Sequence, residues 1–116
     1  MRMWMVNPKI LCRKHLLGEH YELHLFVGSL NKGVSVNGYL DSGLLEIHSI
    51  QTRHDQLVEE MIRRGMKHNS PLPEFRARVQ GYIDVHSSLE ELKRRCGFCR
   101  GKWATLNGTQ RYPRVR

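Results

Sequence analysis

A chain of 116 residues and 13.6 kDa makes one domain with a modest core and leaves no room for two. Nineteen Lys and Arg against eleven Asp and Glu give a net charge of +8, a salt-dependent attraction for polyanions that points first to nucleic acid. Three cysteines, an odd number, argue against a disulfide framework. No apolar run reaches the roughly twenty residues of a membrane span or forms a signal-peptide core, so a soluble intracellular monomer is expected.

Residues 1–6 are apolar around one charge, Arg2. Asn7-Pro8 is a strong helix start, because Asn caps well and Pro suits the first helical position. The pattern predicts one long helix from Pro8 to Lys32, stopped by Gly33. Leu16, Leu23, Val27 and Leu30 share a stripe with Phe26 beside it, while Leu17, Tyr21 and Leu25 lie opposite. A helix apolar nearly all round should be central. His15, Glu19 and Glu22, spaced i, i+4 and i+7, fall on the strip between its apolar faces.

The stretch from Gly33 to Gly43 is rich in turn signals and reads as a loop with room for a small hairpin. Ile50, His54, Leu57, Val58, Met61 and Ile62 predict an amphipathic second helix, with Glu59–Arg63 and Glu60–Arg64 as i, i+4 pairs and Gly65 as the stop. Two prolines, Pro71 and Pro73, keep the next stretch out of a helix, apart from a short turn around Phe75. Ser87 and Ser88, each three residues before a Glu, offer capping boxes for a third helix ending at Gly97. Residues 101–116 read as a loose basic tail behind a helical domain of residues 1–100. The expected fold is an all-α compact single domain of three main helices with long loops around a central first helix.

Several groupings invite chemistry. Cys96-Gly-Phe-Cys99 has metal-ligand spacing, but zinc needs four ligands and only Cys12 and scattered histidines remain to complete the set. Reduced thiols near a helix end are therefore expected, with no metal and no cofactor, and a zinc-stabilised protein using the cysteine pair is the lesser alternative. His15, His20 and His24 show no His-Glu-x-x-His order and read as hydrogen-bonded core residues. The basic runs form a surface that contacts several phosphates jointly, with Trp103 and Tyr112 available for stacking on bases. Glu22, among apolar residues, is either paired with Arg2, Lys14 or His15 or used in catalysis.

The string His15-Leu-Leu-Gly-Glu-His-Tyr-Glu22-Leu-His-Leu-Phe-Val-Gly28, with Met1-Arg-Met-Trp4 and Asn7-Pro8 before it, resembles the pyrimidine dimer DNA glycosylase family. The likeness continues through Arg53-His-Asp-Gln-Leu-Val-Glu-Glu-Met-Ile-Arg-Arg-Gly-Met66, Pro73-Glu-Phe-Arg76 and His86-Ser-Ser-Leu-Glu-Glu-Leu-Lys-Arg-Arg95, covering most of residues 1–95. It implies a compact, cofactor-free helical enzyme that acts on double-stranded DNA and excises damaged pyrimidines, cyclobutane dimers first among them. The N-terminal α-amine would attack the sugar C1′ and form a Schiff base, and β-elimination would then break the abasic strand. By this resemblance the catalytic pair is Met1 and Glu22, and Arg2, Lys14, His15, Lys93 and Arg94 contact DNA. The bulk of Arg2 should keep Met1 in place. Tyr21 and Leu25 stand where a phage member of the family has arginines. The competing class is a non-catalytic basic nucleic-acid-binding module on the same fold.

Overall fold

The computed structural model describes residues 1–110, with no strand among them. It contains α1 (Arg13–Lys32), α2 (Asn37–Asp41), α3 (Ile50–Arg63), α4 (Val85–Arg95) and α5 (Gly97–Gln110). Short 3-10 turns at Pro8–Ile10 and Ile47–Ser49 precede α1 and α3. The all-α architecture is as expected, although five helices replace three.

The first difference lies at the start of α1. Asn7 does cap Pro8–Ile10, accepting the Lys9 N–H at 3.0 Å, but the chain then turns extended at Leu11 and Cys12 before α1 begins. The cause is a distant residue. Arg64 donates to the carbonyls of Pro8 and Leu11, at 3.2 and 2.7 Å, and the Cys12 N–H turns to Cys99 Sγ instead of to Pro8. A continuous helix would use those backbone groups internally. At the other end Gly33 takes the left-handed conformation, φ 73°, and its N–H and that of Val34 satisfy the last carbonyls, the expected stop.

α1 buries Leu16, Glu19, His20, Leu23, Phe26 and Val27 against α3 and the N-terminal segment. Tyr21 is 62% exposed and Leu25 is also exposed, so one flank that reads as apolar in sequence faces solvent. The loop expected from Gly33 to Gly43 forms no hairpin. Residues 37–41 make a single helical turn, and the Met3 N–H bonds the Leu44 carbonyl at 2.8 Å. α3 lays Ile50, Leu57 and Met61 on the core. Glu60 accepts from both Arg63 and Arg64. No helical turn forms around Phe75.

α4 is capped by Asp84, whose side chain accepts the Ser87 N–H, rather than by either serine; Ser88 is buried and bonds the Trp4 carbonyl at 2.5 Å. The largest difference is α5. It runs through the boundary expected at residue 100, so residues 101–110 are helical where a loose tail is expected. Cys99 is fully buried, Leu106 is half-buried, and Trp103 lies under Lys93 Nζ, which is 3.7 Å from its ring centre. This covering removes Trp103 from service as a free stacking surface. Tyr112 and the rest of the expected tail lie outside the described residues.

Candidate functional site

The N-terminal segment passes between α1, α3 and α4 and is tied to them by backbone hydrogen bonds at Arg2, Trp4 and Val6. Its anchor is a buried ion pair. Glu19 on α1 meets Arg53 on α3 through two parallel bonds, Nε to Oε2 at 2.7 Å and Nη2 to Oε1 at 2.8 Å, and both side chains are at most 1% exposed. Each partner also holds the segment. Glu19 Oε2 accepts the Trp4 N–H at 3.0 Å, and Arg53 Nη1 donates to the Val6 carbonyl at 2.6 Å. Met3 is fully buried, and Ser88 holds Trp4 from the α4 side. Residues 2–6 are thereby fixed from three helices. Sequence reading places Glu19 on the right strip of α1 but gives no sign of Arg53, 34 residues away.

With the segment fixed, the chain's end reaches Glu22. The Arg2 N–H donates to Glu22 Oε1 at 2.8 Å. Backbone geometry keeps an α-amine nitrogen within roughly 3.7 Å of the next amide nitrogen, so that of Met1 lies no more than about 6.5 Å from this oxygen. Met1 is exposed and Glu22 half-buried, so both are open to a ligand. The Arg2 guanidinium stacks on Trp4 at 3.9 Å and donates to Ser88 Oγ at 2.9 Å, and its buried Nε has no hydrogen-bond partner. Burial, with Arg95 nearby, lowers the Arg2 pKa from its ordinary value.

The other residues implied by the resemblance fall into two groups. Lys14 is exposed on the first turn of α1, while His15 is half-buried, its Nδ1 3.2 Å from Cys12 Sγ. On α4, Lys93 pairs with Glu90 at 2.9 Å and Arg94 with Glu91 at 2.5 Å, so both are engaged in surface ion pairs. Between the start of α1 and the α4–α5 corner runs a groove of about 870 Å³ lined by Arg13, Lys14, His15, Arg95 and Lys102, with Phe98 81% exposed beside them. Phe98 and Arg95 have no separate signal in sequence; they stand out only once α5 folds back.

A second cluster was partly visible in sequence. His20 and His24, one turn apart on α1, meet His54 of α3 and His68 of the following loop, with neighbouring ring centres 4.8–5.3 Å apart. His20 Nε2 and His68 Nε2 are 2.9 Å apart, and the buried Nε2 atoms of His24 and His54 have no hydrogen-bond partner. Burial, reinforced by the neighbouring imidazoles, pushes the His20 pKa down to about 4, and burial also lowers His24.

The model of one family, pyrimidine dimer DNA glycosylase, matches residues 1–74. The chain belongs to the pyrimidine dimer DNA glycosylase family. No curated protein and no solved structure matches it. The matched span contains Met1, Arg2, Glu19, Glu22 and Arg53, which build and anchor the N-terminal site, and Lys14 and His15 of the groove. Lys93, Arg94 and the Cys96–Cys99 pair lie beyond it. No helix among the described residues is long and apolar enough to cross a membrane.

Proposed function

We propose that the chain is a DNA glycosylase with abasic-site lyase activity, acting on damaged pyrimidines in duplex DNA, cyclobutane dimers foremost. The observation that supports it best is the 2.8 Å bond from the Arg2 N–H to Glu22, which joins the chain's end to a carboxylate twenty residues away. The neutral α-amine of Met1 attacks C1′ of the damaged nucleotide, the C1′–N bond breaks and the base departs with the electron pair. Glu22 stabilises the positive charge that develops on the sugar, where partial exclusion of water strengthens the interaction. Loss of a proton from nitrogen and ring opening give the Schiff base. Removal of a C2′ proton then expels the 3′ phosphate by β-elimination, and water releases the enzyme.

The groove supplies the DNA side. Lys14, with Arg13, Arg95 and Lys102, offers phosphates a cationic wall, and the exposed Phe98 ring offers a flipped or unstacked base an apolar surface. Arg2, Lys93 and Arg94 lie outside the groove and would meet DNA beyond it; the Arg94–Glu91 pair, whose arginine is 70% exposed, opens at little cost because exposed pairs are worth about 0–1 kcal/mol, whereas Lys93 is 18% exposed and also lies over Trp103. His15 faces the same groove.

Borohydride reduction in the presence of ultraviolet-irradiated and abasic duplexes tests this reading. A covalent protein–DNA adduct is expected, lost when the N-terminus is extended by one residue, with turnover abolished in Glu22→Gln. Tight binding to both duplexes with no trapped adduct on either overturns it and leaves a non-catalytic binding module.

A further inference from the structure

The proposed chemistry uses none of the three cysteines, yet the fold brings them together with His15. Cys12 immediately precedes α1, His15 lies in its first turn, Cys96 ends α4 and Cys99 sits in the first turn of α5. Residues 84 positions apart thus meet in one buried spot: Cys12 is 9% exposed, Cys96 8% and Cys99 0%. We propose that Cys12, His15, Cys96 and Cys99 bind one zinc ion as a closed structural centre.

The distances decide in favour of a single tetrahedral ion. Zinc bonds of about 2.3 Å to sulfur and about 2.05 Å to nitrogen give tetrahedral edges of roughly 3.8 Å between sulfurs and roughly 3.6 Å between sulfur and nitrogen. Cys12 Sγ lies 3.8 Å from Cys96 Sγ, and His15 Nδ1 lies 3.2 Å from Cys12 Sγ and 3.6 Å from Cys99 Sγ. All four ligating atoms fall within 4.8 Å of one another. Reduced thiols merely packed at helix ends would account for sulfur–sulfur contact, but not for an imidazole nitrogen aimed into the same spot. Calcium and magnesium take oxygen ligands, whereas three sulfurs and one nitrogen suit zinc.

The surroundings fit a thiolate centre. The Cys12 N–H points at Cys99 Sγ at 3.2 Å and the Cys99 N–H at Cys96 Sγ at 3.4 Å, outer-shell donors that favour the charged ligands. On binding, Zn²⁺ displaces three thiol protons to solvent and takes the lone pair of neutral His15 Nδ1, whose proton stays on Nε2. The centre then carries one negative charge, beside Arg13, Lys14, Arg95 and Lys102 in the groove. No oxidation state changes. With four protein ligands no position is left for water, so the ion holds structure and does no hydrolysis.

What it holds is the groove wall. The first turn of α5, between Cys96 and Cys99, presents Phe98 to solvent, and the ion locks this corner to the start of α1. His15 and Glu22 lie seven residues apart on one helix face, roughly 10 Å along the axis. A metal at His15 therefore sets the position of α5 relative to the N-terminal site. His15, which by resemblance touches DNA, becomes a ligand. The sequence pattern shows only the Cys-x-x-Cys half, since the other half follows from the break before α1.

Cobalt is the probe. The full chain, with a free N-terminus and no added histidines, is stripped with chelator under reductant and titrated with Co²⁺, then with Zn²⁺. The expected spectrum has intense tetrahedral visible bands and thiolate-to-cobalt charge transfer in the near ultraviolet, saturating at one ion and bleached by Zn²⁺. Cys96→Ser should weaken binding by more than the roughly 10–100-fold that loss of an outer-shell partner costs. His15→Cys should keep the ion and intensify the charge transfer, a readout that survives if Cys96→Ser does not fold. The histidine quartet also gathers ligating atoms within 4.8 Å, so His20→Gln serves as the control and should leave the thiolate bands unchanged. Absence of charge transfer, visible bands lost in His20→Gln but kept in Cys96→Ser, or a Cys12–Cys96 disulfide in protein purified without reductant would each overturn the proposal.

Discussion

Removing Glu19 should destabilise the chain far more than an ion pair ordinarily contributes. In Glu19→Ala the Arg53 guanidinium, 1% exposed, loses both carboxylate bonds, and the Trp4 N–H loses its acceptor. Stranding one member of a buried pair costs about 3–5 kcal/mol, a large share of the roughly 6–17 kcal/mol expected for 116 residues. An unfolding entropy of about 2.1 cal/mol/K per residue amounts to about 0.24 kcal/mol/K for the whole chain, so the midpoint should fall by about 12–20 °C. Thermal unfolding followed by circular dichroism reads this directly. The double variant Glu19→Leu/Arg53→Met removes both charges and should recover part of the loss, because no buried charge is left unpaired. A fall of less than about 4 °C in the single variant would match a solvent-exposed pair. Equal losses in single and double variants would show that the charge left on Arg53 is not the cause. Either outcome refutes the reasoning.

Two further perturbations probe other parts of the fold. The His20 imidazole titrates at about 4 when folded, against an ordinary value near 6.5, and His24, His54 and His68 face it, with Asp55 beside His54. Between those values the unfolded chain takes a proton that the folded chain refuses. Its contribution is therefore fully present above pH 6.5 and is lost as pH falls toward 4, by at most about 3 kcal/mol. The thermal midpoint should drop more steeply from pH 7 to pH 4.5 in the parent than in His20→Gln, and parallel curves would exclude the effect. At Gly81 the backbone has φ 93° and an added Cβ would run into the Leu45 carbonyl oxygen. Gly81→Ala should cost about 2 kcal/mol or more, and a melting curve within 2 °C of the parent's, on the order of 0.5 kcal/mol, would contradict it.

What could be read from the chain alone was what is written locally. Gly33 and Gly65 end their helices where the pattern says, and the apolar spacing of Ile50, Leu57 and Met61 puts α3 in register. The failures are long-range. Pro8 would lead into a continuous helix but for Arg64, which takes the Pro8 and Leu11 carbonyls from 56 and 53 residues away. α5 contains Gly97 and Gly101, poor helix formers, and its order comes from burying Cys99 and covering Trp103. Propensity has no access to that. For the same reason His54 and His68 give no hint in sequence that they complete a cluster with His20.

The site shows the same division, with a consequence for how it works. Glu22 stands out in sequence through its neighbours on α1, but its relation to the chain's end depends on residues 2–6 being immobile. A terminal segment is ordinarily poorly ordered unless it is tied down. Here Met3 is buried, Trp4 is held by Glu19 and Ser88, and Val6 by Arg53, so the segment is anchored up to the exposed Met1. If the α-amine is the nucleophile, this anchoring sets its approach to C1′, and the buried polar residues of α1 and α3 act on the reaction without touching DNA. Damage to the Glu19–Arg53 pair should then show in adduct formation at temperatures well below the unfolding midpoint. Damage to a core contact remote from the segment, such as Phe26 against Tyr39, should lower the midpoint while leaving the folded enzyme's trapping rate intact.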